Sequence, residues 1–568
     1  MSYSSVTGSS PAEGGIGATT DRGPGEPIEA SRRTDLGLGR TVLRALFGVL
    51  LSTGIAPLAA QKPVHPRPTL VVLIAVDQMR GDYLERYRDE WRGGFRNLLR
   101  KGAWYPAGRQ EHAITETAPG HSTMLSGRDP GDVGIVTNEL GVPDTSTRLL
   151  EVPGTGASPR RFQGTALYDW MRSADSTSRV LSVSRKDRGA ILPVGRARGA
   201  VFWYAVDRFT SSTYYYPDSL PAWVRDFDAR PWAAALAGKQ WTLLAPASAY
   251  TEIDDQPWEN SESDRTFPHP LPTTPRAMAQ ALPNYPWMDS LTVAFALEGA
   301  AQLGLGKGPG TDLLVVSLSA TDYVGHAFGP DSREIHDQLL RLDHTIGRLE
   351  DSLARLVPHG RIIYALTGDH GVTSFPEAEQ AAGRKGGRVS LDAMISAMND
   401  SLKARIGADP DLSVESGLVF GDFAVLASKG IDTDSLSRRI AAAIAAVPGI
   451  RKVFTPTSLA KAPATDTDAD RWRRSLPASF RWLACAAPDT GWIWSSGTGY
   501  TTHGTSNPDD VSVPIAFWGH GIRAGKRLSV ARTVDIAPTL AGVLGIKPLE
   551  PLDGVPLTEV WSSRPPAN

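Results

Sequence analysis

The chain has 568 residues, of which 41% are hydrophobic and 21% charged, and its formal net charge is −2. Because single hydrophobic cores stop growing at ~250–300 residues, this length allows a large core with substantial insertions. The near-neutral charge gives no electrostatic reason to expect binding to nucleic acid or to an acidic membrane surface. The one cysteine, Cys485, excludes an internal disulfide.

Residues 1–60 are predicted to be a disordered N-terminus with a signal segment. Residues 1–39 are rich in Gly, Ser, Pro and Glu and cannot bury enough apolar surface to fold. Arg40 and Arg44 flank the start of a short apolar segment, Ala45–Ala60, a pattern typical of a secretory signal. The segment is shorter than the ~20 residues of a usual membrane span. We therefore expect cleavage on export, no stable membrane insertion afterwards, and a periplasmic or secreted protein; an uncleaved anchor and a buried helix are the alternatives.

From Leu70 onward, apolar runs alternate with polar loops and amphipathic segments. The runs Leu70–Val76, Leu313–Leu318, Ile362–Leu366 and Val513–Trp518 are predicted to be strands of a mostly parallel sheet. Pro514 lacks an N–H donor, which favours a position near the sheet edge for the last of these strands. The predicted fold class is therefore α/β, with a doubly wound, mostly parallel sheet within residues 61–568.

One helix is predicted with particular clarity between the second and third of these strands. Asp331 is the expected N-cap, with Glu334 three residues later as in a capping box. Apolar residues then recur at spacings of three and four and form one buried stripe: Ile335, Leu339, Leu342, Ile346, Leu349 and Leu353. Such a helix is the crossover that a doubly wound sheet requires.

Two stretches interrupt this alternation. Residues from about 200 to 290 are rich in aromatic residues and proline. Residues from about 385 to 495 hold a second alternation, with a predicted strand at Leu418–Ala427 and a predicted helix at Ser435–Ala446. We expect both stretches to be insertions that form a cap over the sheet edge.

Acidic and imidazole side chains follow the predicted strands. The chain offers three carboxylates and three imidazoles in such places, namely Asp77, Asp322, His326, Asp369, His370 and, in a separate loop, His503. Asp322 and His326 are four residues apart, so one helical turn directs both at one point. Ligands of doubly wound sheets gather at the carboxyl ends of the strands. Buried acids and imidazoles usually need a metal ion as partner, and these groups suffice for two, which predicts a metallohydrolase.

Thr117 and the residues after it are candidates for chemistry at a helix N-terminus. We expect the helix to start near Ser122, and a hydroxyl at such a place favours a phosphate or an alkoxide. The alternative is that Thr117 is only an N-cap. His121 is expected to be a structural, hydrogen-bonding residue.

Three further residues are candidates for binding phosphoryl oxygens. Lys186 and Arg188 are two apart in an extended segment, so their cationic groups can point the same way. Asn138 offers a neutral amide donor. The alternatives are a solvated basic turn for the cationic pair and an ordinary turn residue for the asparagine.

Taken together, these motifs resemble the alkaline phosphatase superfamily, close to the phosphate-irrepressible PafA-type alkaline phosphatases. The matching stretches run from about residue 70 to 505 and are Val76–Arg80, Thr117–His121, Gly134–Asn138, Lys186–Ala190, Asp322–His326, Gly368–Gly371 and Thr502–Gly504. The resemblance implies an alkaline phosphatase-like catalytic domain.

The resemblance also implies two zinc ions and a set of residue roles. One zinc ion would be held by Asp322, His326 and His503. The other would be held by Asp77, Asp369 and His370, with the Thr117 oxygen as a further ligand. Thr117 would be the nucleophile and form a phosphothreonine. Asn138, Lys186 and Arg188 would bind the non-bridging oxygens of the substrate.

A cationic pair stabilises the second negative charge of a bound phosphate monoester, whereas diesterase relatives typically have an apolar groove at this place. The expected function is therefore hydrolysis of phosphate monoesters, with small-molecule phosphate esters of broad range as substrates. A nucleotide pyrophosphatase/phosphodiesterase on the same core is the alternative enzyme. An inactive phosphate- or glycan-binding protein is the alternative outside enzymes.

Overall fold

A nine-stranded sheet forms the centre of the described structure, a computed structural model that covers residues 67–262, 264–357 and 361–561. The predicted signal segment in residues 1–60 lies outside the described residues. Within the described ranges, no helix has the length and apolar character needed to cross a membrane.

The strands and helices alternate along most of the chain. The strands are β1 (Leu70–Val76), β2 (Ala103–Tyr105), β3 (Gly108–Arg109), β4 (Pro143–Arg148), β5 (Thr155–Ala157), β6 (Val180–Ser184), β7 (Ala200–Ala205), β8 (Arg208–Thr210), β9 (Gln240–Trp241), β10 (His269–Pro270), β11 (Asp312–Leu318), β12 (Ile362–Gly368), β13 (Gly387–Val389), β14 (Ser413–Glu415), β15 (Leu418–Phe420), β16 (Ile450–Phe454), β17 (Ala484–Pro488), β18 (Trp492–Trp494), β19 (Ile515–Gly519), β20 (Gly525–Lys526) and β21 (Ala531–Arg532). The helices are α1 (Tyr83–Arg86), α2 (Gly94–Lys101), α3 (Thr117–Ser126), α4 (Pro130–Val133), α5 (Leu167–Ala174), α6 (Asp187–Ile191), α7 (Ala222–Asp228), α8 (Pro275–Ala281), α9 (Trp287–Gln302), α10 (Ala320–Phe328), α11 (Arg333–Leu356), α12 (Pro376–Ala381), α13 (Asp392–Ile406), α14 (Phe423–Ser428), α15 (Thr433–Ala445), α16 (Pro456–Lys461), α17 (Thr467–Ser475), α18 (Pro508–Val511) and α19 (Ile536–Leu544).

The central sheet has the strand order β20-β2-β19-β12-β1-β11-β6-β7-β8. Its five middle strands from β12 to β7 are parallel to one another. Every residue of β1, β11 and β12 is buried, as expected for parallel strands covered on both faces. The predicted fold class, a doubly wound and mostly parallel α/β sheet, is confirmed.

Helices cover both faces of this sheet. Buried side chains of α2, α9 and α11 pack on one face, and buried side chains of α3, α5 and α19 pack on the other. Burial of apolar area on both faces is the main source of stability in such a layered fold. It also leaves the strand ends as the place where polar side chains can meet.

The predicted crossover helix is confirmed as α11, which buries the expected apolar stripe. Its N-cap is Ser332 and not Asp331, because the Ser332 hydroxyl accepts the Ile335 N–H at 3.1 Å. The Asp331 carboxylate pairs instead with the Arg86 guanidinium at 2.9 Å.

The last predicted strand corresponds to β19, which lies third from one edge of the sheet and nearer to an edge than the other three predicted strands, as expected. The strand β19 lies between β12 and β2 and is antiparallel to both. Pro514 comes just before the first ladder residue, Ile515, so its missing N–H removes no hydrogen bond from the sheet.

The first predicted insertion starts later than residue 200. The aromatic run at β7 pairs in parallel with β6, and β8 then pairs with β7, so residues 200–210 belong to the central sheet. The remainder of this stretch holds the short β9–β10 pair. Trp241 and Tyr250 from this stretch are buried in the core on the α11 face.

The second predicted insertion contains a separate sheet with the order β14-β15-β17-β16 and its own hydrophobic core. The predicted helix at Ser435–Ala446 corresponds to α15 and is confirmed. The predicted strand at Leu418–Ala427 is wrong beyond Phe420, because the Asp422 carboxylate accepts the N–H groups of Ala424 and Val425 and caps α14. A cap role for the two insertions stays a prediction.

Candidate active site

The carboxyl ends of three adjacent strands bring the predicted acids together. Asp77 follows β1, Asp369 follows β12, and Asp322 lies in the first turn of α10 after β11. The three strands end in register, because Val76 pairs with Leu318 on one side and Gly368 on the other. The continuous apolar strands therefore deliver three carboxylates to one buried point.

Lys186 lies at the centre of this cluster. Its Nζ atom is 2.6 Å from Asp77 Oδ2, 2.6 Å from Asp322 Oδ2 and 3.1 Å from Thr117 Oγ1. Burial opposes the charge of Lys186, but the carboxylates of Asp322 and Asp77 raise its pKa, so it stays protonated. The lysine thus links the acids to the candidate nucleophile.

The three predicted imidazoles are oriented in the same way. Each Nδ1 lies at hydrogen-bonding distance from a backbone carbonyl, that of Thr501 for His326 (2.7 Å), Gly371 for His370 (3.0 Å) and Thr115 for His503 (2.7 Å). A carbonyl partner assigns the proton to Nδ1 and leaves Nε2 as a ligand atom. This arrangement is typical of histidines that bind metal ions.

Several buried atoms at the site lack hydrogen-bond partners within the described structure. They are Oδ1 of Asp77, Oδ2 of Asp369 and Nε2 of His370. An unpaired buried polar atom costs about 1–3 kcal/mol, so a cation ligand at this place would remove a substantial penalty. These three side chains offer ligand atoms within 4.8 Å of one another, and so do Asp322, His370 and His503.

The residues present therefore fit metal binding. His370 belongs to both groups of ligand atoms. The second group of ligand atoms contains His370, whereas the resemblance assigns His326 as the partner of Asp322 and His503. The Nε2 atom of His326 lies 3.2 Å from Asp322 Oδ1, so it is close to this group. Mixed imidazole and carboxylate ligands suit zinc.

Electrostatics favour cation binding as well. Burial and the carboxylates of Asp322 and Asp369 raise the pKa of Asp77 well above its usual range. Burial lowers the pKa of His370 to about 3, so its imidazole is neutral, which is the form that binds a metal. The cluster has more negative charge than Lys186 alone can neutralise.

Thr117 lies at the very start of α3, and the prediction that this helix begins near Ser122 is wrong. Pro119 is tolerated inside the first turn because the first N–H groups of a helix have no partner within it. His121 makes hydrogen bonds as expected: its Nε2 lies 2.9 Å from the Ser317 hydroxyl, and its Nδ1 lies 2.9 Å from the Thr117 carbonyl oxygen.

Asn138 and Arg188 both follow Thr117 in the sequence and are held by different elements. Arg188 is in the first turn of α6, and its buried Nε atom has no hydrogen-bond partner in the part of the chain that is described. Asn138 lies in the loop after α4, where its Oδ1 accepts the Ala118 N–H at 2.9 Å. Its N–H donates to Glu116 at 2.8 Å.

Sequence reasoning missed Gln78. Its backbone N–H donates to Asp369 and its side-chain amide donates to Asp322, each at 3.0 Å, so it ties two of the acids together. Gln78 has a φ of 63°, a left-handed conformation that is unusual for a residue other than glycine. Its position directly after Asp77 was the one available signal.

The chain is similar to known proteins over most of its length. Residues 71–404 match the family model described as type I phosphodiesterase/nucleotide pyrophosphatase. The alkaline phosphatase PafA of Elizabethkingia meningoseptica is 33% identical over 91% of this chain and 98% of that protein. The crystal structure of wild-type PafA has a TM-score of 0.80 with 30% identity, over 88% of this chain and 100% of that chain. A PafA variant with one threonine, one asparagine, one lysine and one arginine substituted has a TM-score of 0.79 with the same identity and coverage.

Proposed function

Because this chain belongs to the type I phosphodiesterase/nucleotide pyrophosphatase family and, within it, to the PafA-type alkaline phosphatases, which are phosphoric monoester hydrolases, we propose that it cleaves phosphate monoesters through a phosphothreonine intermediate at a two-zinc site. The observation that carries the proposal is the convergence of a hydroxyl, an ammonium group and unpartnered metal-ligand atoms at one sheet edge.

Thr117 is the proposed nucleophile. Its hydroxyl is at the positive end of α3 and 3.1 Å from the ammonium of Lys186, and both favour the alkoxide over the neutral hydroxyl. The Thr117 oxygen forms a bond to phosphorus as the ester oxygen departs, and water then releases inorganic phosphate from the phosphothreonine.

Seven side chains are proposed to hold the two zinc ions. One set is Asp77, Asp369 and His370 with the Thr117 oxygen, and the other is Asp322, His326 and His503. Bound zinc supplies Lewis-acid charge to the attacking and the departing oxygen atoms. The protein itself contributes the fixed orientation of these ligands through the carbonyl partners of the three imidazoles.

Lys186, Arg188 and Asn138 are proposed to bind the non-bridging oxygens, which carry increasing charge during transfer. The two cationic groups favour a dianionic monoester over a monoanionic diester. The solved PafA variant has one threonine, one asparagine, one lysine and one arginine altered, the same four residue types as Thr117, Asn138, Lys186 and Arg188.

We further propose small-molecule phosphate esters of broad range as substrates and a periplasmic or secreted location, from the signal-like segment Ala45–Ala60. The insertions after residue 210 and between β13 and β18 are proposed to cap the sheet edge.

Aryl phosphate monoester and diester hydrolysis, measured side by side on the zinc-loaded protein, tests the function. We expect a strong preference for the monoester and complete loss of turnover in Thr117→Ala with zinc content unchanged. A diester preference would favour the nucleotide pyrophosphatase/phosphodiesterase alternative. Full turnover by the alanine variant would refute the nucleophile role.

A further inference from the structure

Glu116 precedes the proposed nucleophile and is the N-cap residue of α3, yet its side chain does not cap that helix. It is 6% exposed, and its Oε2 accepts the N–H of Asn138 at 2.8 Å. Asn138 in turn caps the helix from outside, because its Oδ1 accepts the N–H of Ala118 at 2.9 Å. Two reciprocal hydrogen bonds therefore connect Glu116, Asn138 and Ala118 around Thr117.

This pairing determines which edge of the Asn138 amide is available. The Oδ1 atom is occupied by Ala118, and Nδ2 has no hydrogen-bond partner among the described residues. The side chain is half-buried, so Nδ2 can still donate to a bound molecule. The position of that donor beside Thr117 depends on the carboxylate of Glu116, which holds the Asn138 backbone.

The other oxygen of Glu116 is held by the inserted sheet. The Ser416 hydroxyl donates to Oε1 of Glu116. Ser416 and Gly417 form the two-residue turn between β14 and β15, with φ angles of 46° and 78°. Positive φ at both central residues is the type I′ geometry, which favours Asn, Asp or Gly at the first position. Serine is less stable than these residues in that conformation, and its hydroxyl makes a contact outside its own sheet.

The same turn packs against the loop that carries a candidate metal ligand. A Cβ atom added at Gly504 would lie 2.8 Å from Ser416 Oγ. The N–H of Gly504 donates to the Thr115 hydroxyl at 3.1 Å, and His503 next to it contacts the Thr115 carbonyl. Thr115 thus contacts the His503 loop, Glu116 contacts the Asn138 loop, and Thr117 carries the reacting hydroxyl.

We infer that Glu116 is a positioning residue that sets the Asn138 amide for the substrate phosphoryl group, and that Ser416 is the contact through which the inserted sheet holds Glu116 in place. Glu116 does not touch the reacting atoms; it acts through Asn138. The inference rests on the proposed function, because it needs Asn138 to bind a phosphoryl oxygen.

A double-mutant cycle tests it on the zinc-loaded full chain with an aryl phosphate monoester. We expect Asn138→Ala to lower kcat/KM by ~10- to 100-fold, as for loss of one transition-state hydrogen-bond donor. Glu116→Ala should lower it by about tenfold in the wild-type background and by less than about twofold in the Asn138→Ala background. A loss in the double variant equal to the product of the single losses would overturn the inference.

Two further variants separate positioning from a general structural effect. In Glu116→Gln the carbonyl can accept the Asn138 N–H while its amide donates to the Ser416 hydroxyl, so most activity should return. Ser416→Ala should cause a smaller loss of the same kind, whereas Ser413→Ala, which removes a hydroxyl of the same hairpin, should be neutral. Equal losses in Glu116→Gln and Glu116→Ala, or an unchanged Ser416→Ala, would contradict the positioning role.

Zinc content and melting temperature, measured for every variant, show whether the site is intact. A fully active Asn138→Ala variant would remove the phosphate site on which the inference depends. An impaired Asn138→Ala variant with multiplicative effects of Glu116→Ala would overturn the positioning role alone.

Discussion

Lys186 and Arg188 follow β6 and place two cationic groups at the end of the sheet that holds Thr117. A monoester carries one more negative charge than a diester, so these groups stabilise its transition state more. Replacing both residues by alanine should lower kcat/KM for an aryl phosphate monoester by ~10²- to 10⁴-fold and for a diester by less than about tenfold. Steady-state kinetics with both substrates measures the difference.

The matched control replaces two exposed basic residues, Arg276 and Lys307, by alanine. It should leave kcat/KM unchanged for both the monoester and the diester. Equal losses for monoester and diester in the Lys186/Arg188 variant would mean that the pair only maintains the structure.

Glu259 is a buried acid outside the candidate site. Burial and the carboxylates of Glu334 and Asp254 raise its pKa from 4.5 to about 9. The folded protein therefore keeps a proton that the unfolded chain releases above about pH 4.5, and stability falls as the pH rises from about 5 to about 9. Glu259→Gln should be more stable than the wild type above pH 5, by up to about 1.4 kcal/mol per pH unit.

Denaturant unfolding at a series of pH values between 5 and 9 measures this slope. The control is Glu151→Gln, a change of the same kind at an exposed residue, which should follow the wild type. Parallel stability profiles for Glu259→Gln and the wild type would contradict the prediction.

The metal-ligand candidates and the supporting residues differ in what a sequence can show. Asp77 and Asp369 follow long apolar runs, so the strand ends place them together without knowledge of distant contacts. Glu116 and Ser416 are 300 positions apart and meet only because a hairpin of the inserted sheet turns toward α3. No local pattern contains that information.

At the level of elements, α11 illustrates how one residue sets a helix boundary. Ser332 is buried, and its hydroxyl accepts the Ile335 N–H at 3.1 Å. Ser332→Ala should lower the free energy of unfolding by about 1–2 kcal/mol through loss of the cap, and Ser332→Thr should retain most of it. Urea unfolding followed by circular dichroism tests this, with Ser352→Ala, later in the same helix, expected within about 0.5 kcal/mol of the wild type. An unaffected Ser332→Ala would show that the cap contributes nothing.

Elements with one dominant signal were predicted well, and elements decided by tertiary context were not. The strand β1 follows from its continuous apolar run, and the stripe of α11 follows from apolar periodicity. The direction of β19 depends on the path of the preceding chain, which periodicity does not describe. The start of α3 at Thr117 was obscured by Pro119 and Gly120, which oppose helix formation but are tolerated in a first turn held by Asn138.

At the level of the whole molecule, the sheet edge concentrates negative charge that the hydrophobic layers cannot stabilise. Asp77, Asp322 and Asp369 are all buried, and their main cationic neighbour is Lys186. A fold that gathers three carboxylates in its interior is therefore stabilised by any cation it binds there. This couples the stability of the central sheet to the occupancy of the proposed zinc sites.

Removal of metal should accordingly destabilise the protein. Zinc at a hundredfold excess over its dissociation constant stabilises the folded state by about 2.7 kcal/mol per site, so chelation should lower the melting temperature and zinc should restore it. Thr117→Ala should keep this response although it is inactive. His370→Ala should weaken it, because His370 is a proposed ligand of one zinc ion and also lies near the Asp322 and His503 ligand atoms, whereas His344→Ala, an exposed histidine of α11, should keep it. Thermal melts with chelator and with graded zinc measure the effect; equal zinc responses in the two histidine variants would contradict the assigned ligands.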